Sequence, residues 1–283
     1  MTPNPYISCR LMGGLGNQLF QLFATLAYAT RHSCSPVFTY SEQLTVGKVR
    51  NTYWSNFLSH IKRFTTVQEL QFPVYREPGF EYSPIPLSNK QDLMLLGYFQ
   101  SPKYFANEQA EIFDAIKLED QKKAVLSEYS SYVTDDYETI SMHFRLDDYK
   151  DIQDRHPIMP YEYYRNALVH MIGSIHSELP VKVLCFYQEG DSVEVGEVID
   201  RLSREFDFIQ FQHIDHSIED WQQLLLMSSC KHNIIANSTF SWWGAYFNEC
   251  SGKIVCYPST WFGPRLSHNI KDLFPNTWTK IAW

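Results

Sequence analysis

Residues 233–246 read NIIANSTFSWWGAY, and this stretch shows how the second half of the chain is built. Asn233–Ala236 is a short apolar run, which predicts a buried β-strand. Ser238 and Thr239 favour a helix N-terminus, so a helix is predicted to begin at about Thr239. A strand that leads directly into a helix is typical of a parallel sheet, because parallel strands need long crossover connections.

The same alternation continues on both sides of this stretch. From about residue 139 onward, strands alternate with helices of suitable length, which predicts one parallel α/β block. The expected strands are Thr139–Leu146, Val181–Tyr187, Phe208–Phe211 and Lys253–Tyr257, and the expected helices are Tyr161–Ile172, Val193–Phe206 and Ile218–Ser228.

The beginning of the chain repeats the pattern. Tyr6–Arg10 is strand-like, a glycine-rich turn follows, and apolar residues spaced three and four apart between Leu19 and Tyr28 predict a helix. Pro36–Tyr40 reads as a second short strand, whereas residues 41–89 carry no clear pattern.

Two such blocks predict an α/β protein with two Rossmann-like lobes that face each other across a cleft. We place the first lobe at 1–135 and the second at 136–283, and we expect the final tail to pack back on the first lobe.

Composition excludes some classes of partner. The 283 residues include 24 Lys and Arg against 32 Asp and Glu, which gives a net charge of −8. Nonspecific binding to nucleic acid depends on clustered cations, so no nucleic-acid partner is expected. The ten histidines show no HxxxH and no cluster with ligand spacing, so no metal site is expected either.

The six cysteines contain no CxxC pair, which favours buried free thiols and a reducing compartment. The N-terminus lacks a basic region followed by an apolar core, and no segment has the roughly 20 apolar residues that span a bilayer. We therefore expect a cytoplasmic protein without a membrane span.

Three motifs are candidates for chemistry. The first is the turn Gly13-Gly14-Leu15-Gly16-Asn17-Gln18. Glycines there allow close approach of a ligand, and N–H groups at the start of the helix favour an anion. The spacing differs from the dinucleotide fingerprint GxGxxG, which makes a dinucleotide oxidoreductase a distant alternative. The structural alternative is a tight turn with Asn17 as the N-cap.

The second motif, His143-Phe144-Arg145-Leu146-Asp147-Asp148-Tyr149, lies at the carboxyl end of a predicted strand. Strand alternation would place the side chains of His143 and Arg145 on one face, at the sheet edge where α/β folds bind ligands. An arginine there can grip phosphate oxygens and stabilise a departing diphosphate. The structural alternative is an Arg145 that only pairs with Asp147 or Asp148.

The third motif is Asn237–Ala245, within the opening stretch. Hydroxyls and amides at a helix N-terminus can hold an anion without a metal. The alternative is an N-capped core helix whose two tryptophans only pack.

Together these segments resemble the inverting fucosyltransferases related to α-1,2-fucosyltransferases, glycosyltransferase family 11. The resemblance rests on four blocks that occur in the family's order: GGLGNQLFQ from Gly13, LGYFQS with KYF from Leu96, His143-x-Arg145-x-x-Asp148-Tyr149, and the block Ile235–Tyr246. It implies a GT-B type fold, GDP-fucose bound mainly by the second lobe, and no metal requirement or other cofactor.

The resemblance also implies roles for individual residues. Arg145 would hold the β-phosphate of GDP, and His143 would contact the nucleoside. The residues that would contact phosphate, base, fucose or acceptor are Asn237, Ser238, Thr239, Phe240 and Ser241 in the second lobe, and Gly14, Gly16, Asn17 and Gln18 in the first.

Two positions depart from the family pattern. Leu146 stands where a second arginine is usual, and Gln223 stands where an acid is common, so we expect Asp220, one turn earlier, to take the guanine-binding role. The catalytic base stays open among Asp147, Asp148 and residues around Asn17, with Asp148 as our choice.

The resulting hypothesis is transfer of L-fucose from GDP-fucose to a glycan hydroxyl with inversion, forming an α-1,2 linkage, often to galactose. One alternative is a glycosyltransferase with another donor or linkage, since diphosphate contacts do not recognise the hexose. Another is a noncatalytic module that binds glycans or nucleotide sugars. The sequence does not identify the acceptor or the oligomeric state.

Overall fold

The structure, a computed structural model, describes residues 4–45 and 47–283. The chain forms two compact units, one of residues up to 121 with 268–275, and the other of residues 122–267 with 276–283. The expected boundary between residues 135 and 136 thus lies 14 residues after the observed one at 121, and part of the C-terminal tail belongs to the first unit.

The first unit is built on a four-stranded parallel sheet with the order β2-β1-β8-β7. Two further strand pairs, β3 with β6 and β4 with β5, complete its strands. The strands are β1 Tyr6–Cys9, β2 Ser35–Pro36, β3 Phe38–Thr39, β4 Gln43–Leu44, β5 Arg50–Asn51, β6 Thr65–Thr66, β7 Val74–Arg76 and β8 Leu93–Leu96, and the helices are α1 Leu15–His32, α2 Gln109–Ala115 and α3 Leu118–Glu128, which crosses the unit boundary.

Helix α1 forms the core of the first unit, as its apolar spacing predicts. Phe20 and Phe23 are fully buried and pack on Phe105, with ring centroids 6.1 and 5.6 Å apart. The helix ends at His32, and its C-cap residue Ser33 adopts a left-handed conformation with φ 53°. The expected strand Pro36–Tyr40 is instead split in two, because β2 pairs with β1 whereas β3 pairs with β6.

The second unit contains a six-stranded parallel sheet with the order β11-β10-β9-β12-β13-β14. Its strands are β9 Glu138–His143, β10 Val181–Phe186, β11 Gln210–His213, β12 His232–Ile234, β13 Val255–Pro258 and β14 Thr279–Ile281, and its helices are α4 Tyr161–Ser174, α5 Ser192–Glu205, α6 Asp220–Ser229 and α7 Thr239–Tyr246. The expected α/β class with parallel sheets is confirmed.

The five expected strands of this unit all overlap observed ones, with ends shifted by up to three residues. β9 ends at His143 rather than Leu146, because a 3₁₀ turn begins at Asp147. The expectation that His143 and Arg145 share one strand face was therefore wrong, since Arg145 lies beyond the strand. β11 begins at Gln210 rather than Phe208, whose side chain is 60% exposed and does not belong to the sheet interior.

The central strand β9 is buried along its whole length. It lies between β10 and β12, with Ile140 opposite Val183 and His232. All the strands are parallel, so their carboxyl ends meet at one edge of the sheet. No helix within the described ranges is long and apolar enough to cross a membrane.

Candidate functional site

The carboxyl edge of the six-stranded sheet brings the second and third motifs together. β9 ends at His143 and its neighbour β12 ends at Ile234, so the residues that follow the two strands are adjacent. Tyr149 links them directly, because its hydroxyl donates to the backbone carbonyl of Asn237 at 3.1 Å.

His143 is buried at this edge and is neutral. Burial, and then the neighbouring Arg145, lower its pKa from 6.5 to about 3. Its ring lies 5.6 Å from the ring of Phe240, and its carbonyl accepts a hydrogen bond from the Tyr164 hydroxyl at 3.2 Å. Its Nδ1 has no hydrogen-bond partner in the described part of the chain. A buried ring nitrogen of this kind is available to a ligand.

Arg145 is held from several sides. Its Nη2 contacts Asp148 Oδ1 at 2.5 Å, and its guanidinium lies over the Tyr149 ring, 5.1 Å from the centroid. With the Gln188 amide in its favourable orientation, the Gln188 oxygen accepts from Arg145 Nη1 at 3.0 Å and its nitrogen donates to Asp147 Oδ2 at 3.2 Å. The ion pair of the structural alternative is therefore present, and about 17% of the Arg145 side chain stays accessible.

The loop after β9 is fixed by a buried carboxylate. The backbone N–H of Asp147 donates to Asp191 Oδ2 at 3.0 Å, and Asp147 adopts φ +33°. Asp191 is 3% exposed and also pairs with Lys150 at 2.9 Å. This arrangement fixes the turn that follows Arg145.

Helix α7 begins at the same edge with a serine cap. Ser238 is the N-cap, and its hydroxyl accepts from the N–H of Phe240 at 3.3 Å. The Ser241 hydroxyl donates to the Ser238 carbonyl at 3.4 Å. Thr239 opens the helix, and no acidic residue lies in its first turn. The helix therefore supplies no carboxylate of its own to its positive end, which favours an anion.

Asn237 positions the segment ahead of α7. Its Nδ2 donates to the carbonyls of Pro157 at 2.9 Å and Trp261 at 3.2 Å. Its Oδ1 is buried and, among the described residues, has no partner. This oxygen and His143 Nδ1 are two unsatisfied polar atoms on neighbouring strand ends.

The two tryptophans of α7 are packing residues. Trp242 and Trp243 are both 0% exposed, and Trp242 lies 5.4 Å from the Trp278 ring. Gly244 allows α7 to approach α6, since a Cβ there would meet Met227 Cβ at 2.8 Å. The tryptophans therefore fix the helix and leave its N-terminal residues for ligand contact.

Asp220 is the first residue of α6 and is exposed. Its Oδ1 accepts from the N–H of Trp221 at 2.7 Å. The amide of Gln223 donates to the Ile218 carbonyl at 2.8 Å, so this side chain is held by its own turn. Because α6 follows β11, Asp220 lies at the same edge of the sheet as the other candidate residues.

The sequence analysis missed a polar cluster at this edge. Tyr187 follows β10, and its hydroxyl lies 2.6 Å from Nδ1 of His213, the last residue of β11. The ring of His216 packs against Tyr187 at 4.9 Å. The available signal was that Tyr187 ends the predicted strand Val181–Tyr187 and that His213 comes two residues after the predicted strand Phe208–Phe211. Such side chains can be placed together only once the strand order is known.

The glycine-rich turn of the first unit is tightly built. Gly13 has φ +76°, and a Cβ there would lie 2.4 Å from Asn17 Nδ2. Gly14 is the N-cap of α1, so Asn17 is not the cap that the structural alternative required. Gln18 is buried, and its Nε2 donates to the carbonyls of Gly13 at 3.0 Å and Asn51 at 2.8 Å. Gln18 thus shapes the turn. Gly16 is the second residue of α1 and is buried.

The loop that follows β8 contacts Asn17 of this turn. Gln100 Nε2 donates to Asn17 Oδ1 at 3.0 Å. The turn before Gln100 is held by Glu77, whose carboxylate accepts from the N–H groups of Tyr98 at 2.8 Å and Phe99 at 2.9 Å. Phe99 adopts φ +52°, which costs energy for a non-glycine residue and persists only where surrounding contacts enforce it. The LGYFQ motif therefore acts as a support for the glycine turn.

No group of three or more His, Cys, Asp or Glu side chains within residues 4–45 and 47–283 could hold a metal ion. The cysteines are free, as expected, and four of them, Cys9, Cys185, Cys230 and Cys256, are buried.

Two units on parallel sheets, with an arginine and a helix N-terminus at the carboxyl edge of one sheet, define a GT-B type α/β glycosyltransferase fold. The structure of an Arabidopsis thaliana FUT1 variant in complex with GDP shares this fold, with a TM-score of 0.50 and 10% identity over 93% of this chain and 72% of that one. The model of Glycosyl transferase family 11 matches residues 15–282. The chain belongs to this family.

Two Escherichia coli proteins are similar in sequence. An O-antigen biosynthesis glycosyltransferase, WbnK, is 27% identical over 201 residues, which cover 69% of this chain and 63% of WbnK. This chain therefore matches somewhat less than two thirds of that protein's length. An alpha-1,2-colitosyltransferase is 26% identical and aligns over 97% of this chain and 98% of its own length.

Proposed function

We propose that this protein transfers L-fucose from GDP-fucose to a hydroxyl of a glycan acceptor, with inversion, and forms an α-1,2 linkage. The observation that carries the proposal is the placement of Arg145 beside the N-terminus of α7 at one sheet edge. Membership of family 11 supports the reaction class, and the similarity to an alpha-1,2-colitosyltransferase supports the linkage.

The proposed chemistry is stabilisation of a leaving group. As the bond between the sugar C1 and the phosphate oxygen breaks, negative charge grows on GDP while the sugar becomes oxocarbenium-like. The Arg145 guanidinium can accept this charge through bidentate contacts, and the N–H and hydroxyl groups of Ser238, Thr239 and Ser241 add further donors. These groups suffice for the proposal, which includes no metal or other cofactor.

The buried neutral residues are assigned to the nucleoside. His143 is neutral, so it offers a hydrogen bond and no charge, and its Nδ1 is unsatisfied beside the ring of Phe240. Asn237 Oδ1 offers an acceptor nearby. The exposed carboxylate of Asp220 is assigned to the guanine, whose N–H groups are donors.

In the first unit, Gly14, Gly16 and Asn17 are assigned to the sugar side of the reaction. A Cβ at Gly14 would meet nothing within 4 Å, so the space beside the helix start is open. Gln18 supports this turn through its hydrogen bonds. The acceptor hydroxyl attacks the sugar C1 as the bond from C1 to GDP breaks, and its proton passes to the base.

Asp148 lies closest to Arg145 among the candidate bases. Its contact with the guanidinium at 2.5 Å favours a role in orienting Arg145, because this carboxylate oxygen is already engaged by the guanidinium. We assign it that role in the reaction, with Asp147 and the surroundings of Asn17 still open as sources of the base.

The test is Arg145→Ala, measured as GDP release and fucose transfer from GDP-fucose. Removing one preorganised donor typically costs about 2.7–4 kcal/mol of barrier, so the rate should fall about 10²–10³-fold. The matched control is Arg165→Ala, since Arg165 is also ion-paired, to Glu205 at 2.6 Å, but lies on α4. Equal activity of the Arg145 variant and the control would contradict the mechanism.

A second donor has specific support. The similarity to an alpha-1,2-colitosyltransferase over 97% of this chain favours a test with GDP-colitose, which lacks the 3-hydroxyl of fucose. Transfer rates with GDP-fucose, GDP-colitose and GDP-mannose separate these donors. A noncatalytic binding module would bind one of them and release no GDP with any acceptor.

A further inference from the structure

Two arginines lie side by side at the carboxyl edge of the first unit's sheet. Arg76 is the last residue of β7 and is in register with Leu96 of β8. Arg10 directly follows β1, and its N–H donates to the Leu95 carbonyl at 3.0 Å, which continues the pairing of Cys9 with Leu95. Arg10 and Arg76 therefore flank Leu96 at one level of the sheet.

The two arginine side chains share one face. Residues in register on neighbouring parallel strands point the same way, and successive residues alternate. Cys9 and Leu95 are both buried, and the Cys9 side chain contacts Thr25 of α1. Alternation therefore places Arg10, Leu96 and Arg76 on the opposite face of the sheet. Two inter-strand spacings of about 4.8 Å separate their backbones, a distance that two long guanidinium side chains can bridge toward one ligand.

Both arginines are exposed, and within the described ranges neither has a hydrogen-bonded or ionic side-chain partner. Several other cations of the first unit form ion pairs, as in Arg31–Glu108, Lys103–Asp272 and Lys271–Glu81.

The charges around the pair leave it positive. Glu77 follows Arg76, but its carboxylate is directed to the N–H groups of Tyr98 and Phe99. Helix α1 starts after the turn that follows Arg10, and its first turn contains no acidic residue. In the part of the chain that the structure describes, neither guanidinium group forms an ion pair with an acid.

We infer that Arg10 and Arg76 bind an anionic group on the acceptor, either a carboxylate of an acidic sugar or a phosphate. Guanidinium groups bind both kinds of oxyanion bidentately. This inference rests on the proposed function, and it names a class of acceptor, a negatively charged glycan. It gives the two arginines a role in acceptor selection and none in binding GDP.

The experiment compares three versions of one acceptor disaccharide: neutral, with a uronic acid in place of one hexose, and with a phosphate at the reducing end. The proteins are the wild type, Arg10→Gln, Arg76→Gln and, as a control, Arg204→Gln, which removes an exposed arginine on α5. For the wild type, KM should be about tenfold lower for one anionic acceptor than for the neutral one, and which one it is identifies the source of the charge.

In Arg10→Gln and Arg76→Gln this preference should be lost, while KM for GDP-fucose, donor hydrolysis and activity on the neutral acceptor match those of Arg204→Gln. Equal KM values for all three acceptors in the wild type would overturn the inference, and so would variants that weaken GDP binding instead. Binding of each disaccharide to donor-free protein, measured by NMR titration, tests the acceptor site separately from the proposed fucose transfer. Anion-dependent binding there supports the acceptor site even if no GDP-fucose is consumed.

Discussion

The guanidinium of Arg145 is paired with the carboxylate of Asp148, and this contact affects how Arg145 can bind a substrate. The Asp148 pair and the Tyr149 ring hold the guanidinium in place, so little side-chain freedom is left to lose when a diphosphate arrives. Preorganisation of this kind lowers the entropy lost on binding. The same carboxylate also competes with the phosphate for the guanidinium.

Asp148→Asn separates an orienting role from a basic one. The substitution keeps the shape and removes the charge, so the KM for GDP-fucose should change about 3–10-fold while kcat falls by less than about tenfold. Steady-state kinetics with varied donor measures both. Asp154→Asn is the control, because Asp154 pairs with Arg265 at 3.0 Å on an exposed surface. A fall in kcat of about 10²–10⁴-fold at unchanged KM would identify Asp148 as the general base instead.

Among the structural elements, the turn into α1 depends on two adjacent glycines for different reasons. Gly13 needs its left-handed backbone and has Asn17 against it, whereas Gly14 has an ordinary φ of −78° and open space. Gly13→Ala should therefore destabilise the fold by about 1–2 kcal/mol or more. Gly14→Ala should leave the unfolding free energy unchanged, as measured by urea denaturation.

Gly14→Ala then becomes a probe of ligand approach. If the sugar side of the reaction lies against Gly14, the variant should keep its stability and raise the KM for the acceptor or donor sugar at least several-fold. A Gly14 variant with unchanged kinetics would remove this glycine from the assigned contacts. Equal stability of the two alanine variants would contradict our account of the turn.

The elements also show what could be predicted from the sequence. α1, α7 and five of the six strands of the second unit were predicted, because each has a marked apolar period and a turn or cap at its ends. The exception is the three-residue strand β14, which was not predicted. The region 41–89 was not, because its strands are two or three residues long and its core residues Trp54, Phe57 and Ile61 lie outside strands and α-helices. Such a core depends on long-range packing, which leaves no period in the sequence.

The candidate site was predicted in part for the same reason. His143, Arg145 and Ser238 follow or end predicted strands, so their shared edge could be inferred from topology. The pair Tyr187–His213 depends on β10 lying beside β11, and the row Arg10–Leu96–Arg76 depends on β8 lying between β1 and β7. Strand order of this kind is set by tertiary packing.

For the whole molecule, burial of histidine predicts how stability depends on pH. Burial lowers the pKa of His143 to about 3 and also lowers the pKa of His232, whose Nε2–H donates to Glu138 at 2.9 Å while its Nδ1 accepts from the N–H of Ile254. The unfolded chain takes up these protons below about pH 6.5, whereas the folded chain takes up that of His143 only near pH 3. The unfolding free energy should therefore fall as the pH drops from 6.5, by about 1.4 kcal/mol per pH unit for His143, and His232 contributes in the same direction.

Urea unfolding between pH 7 and pH 4 measures this slope. The His143→Gln variant should take up about one proton fewer on unfolding than the wild type, so its unfolding free energy should depend less steeply on pH. The His170→Gln variant, changed at an exposed position on α4, should keep the wild-type slope. The salt-bridged Glu138 adds to the loss at the acid end, since burial raises its pKa but hydrogen bonds from His232, Ser177 and Lys231 outweigh this and lower it. An identical slope in both histidine variants would show that His143 is not the proton-linked group.

The uneven distribution of indole rings gives the chain a built-in optical reporter. Of the seven tryptophans, Trp54 alone belongs to the first unit, and the other six belong to the second. Intrinsic fluorescence will therefore follow chiefly the second unit, while far-ultraviolet circular dichroism follows both. A Trp54→Phe variant would make the emission specific to the second unit. If one unit unfolds before the other, fluorescence and circular dichroism would then show transitions that do not coincide.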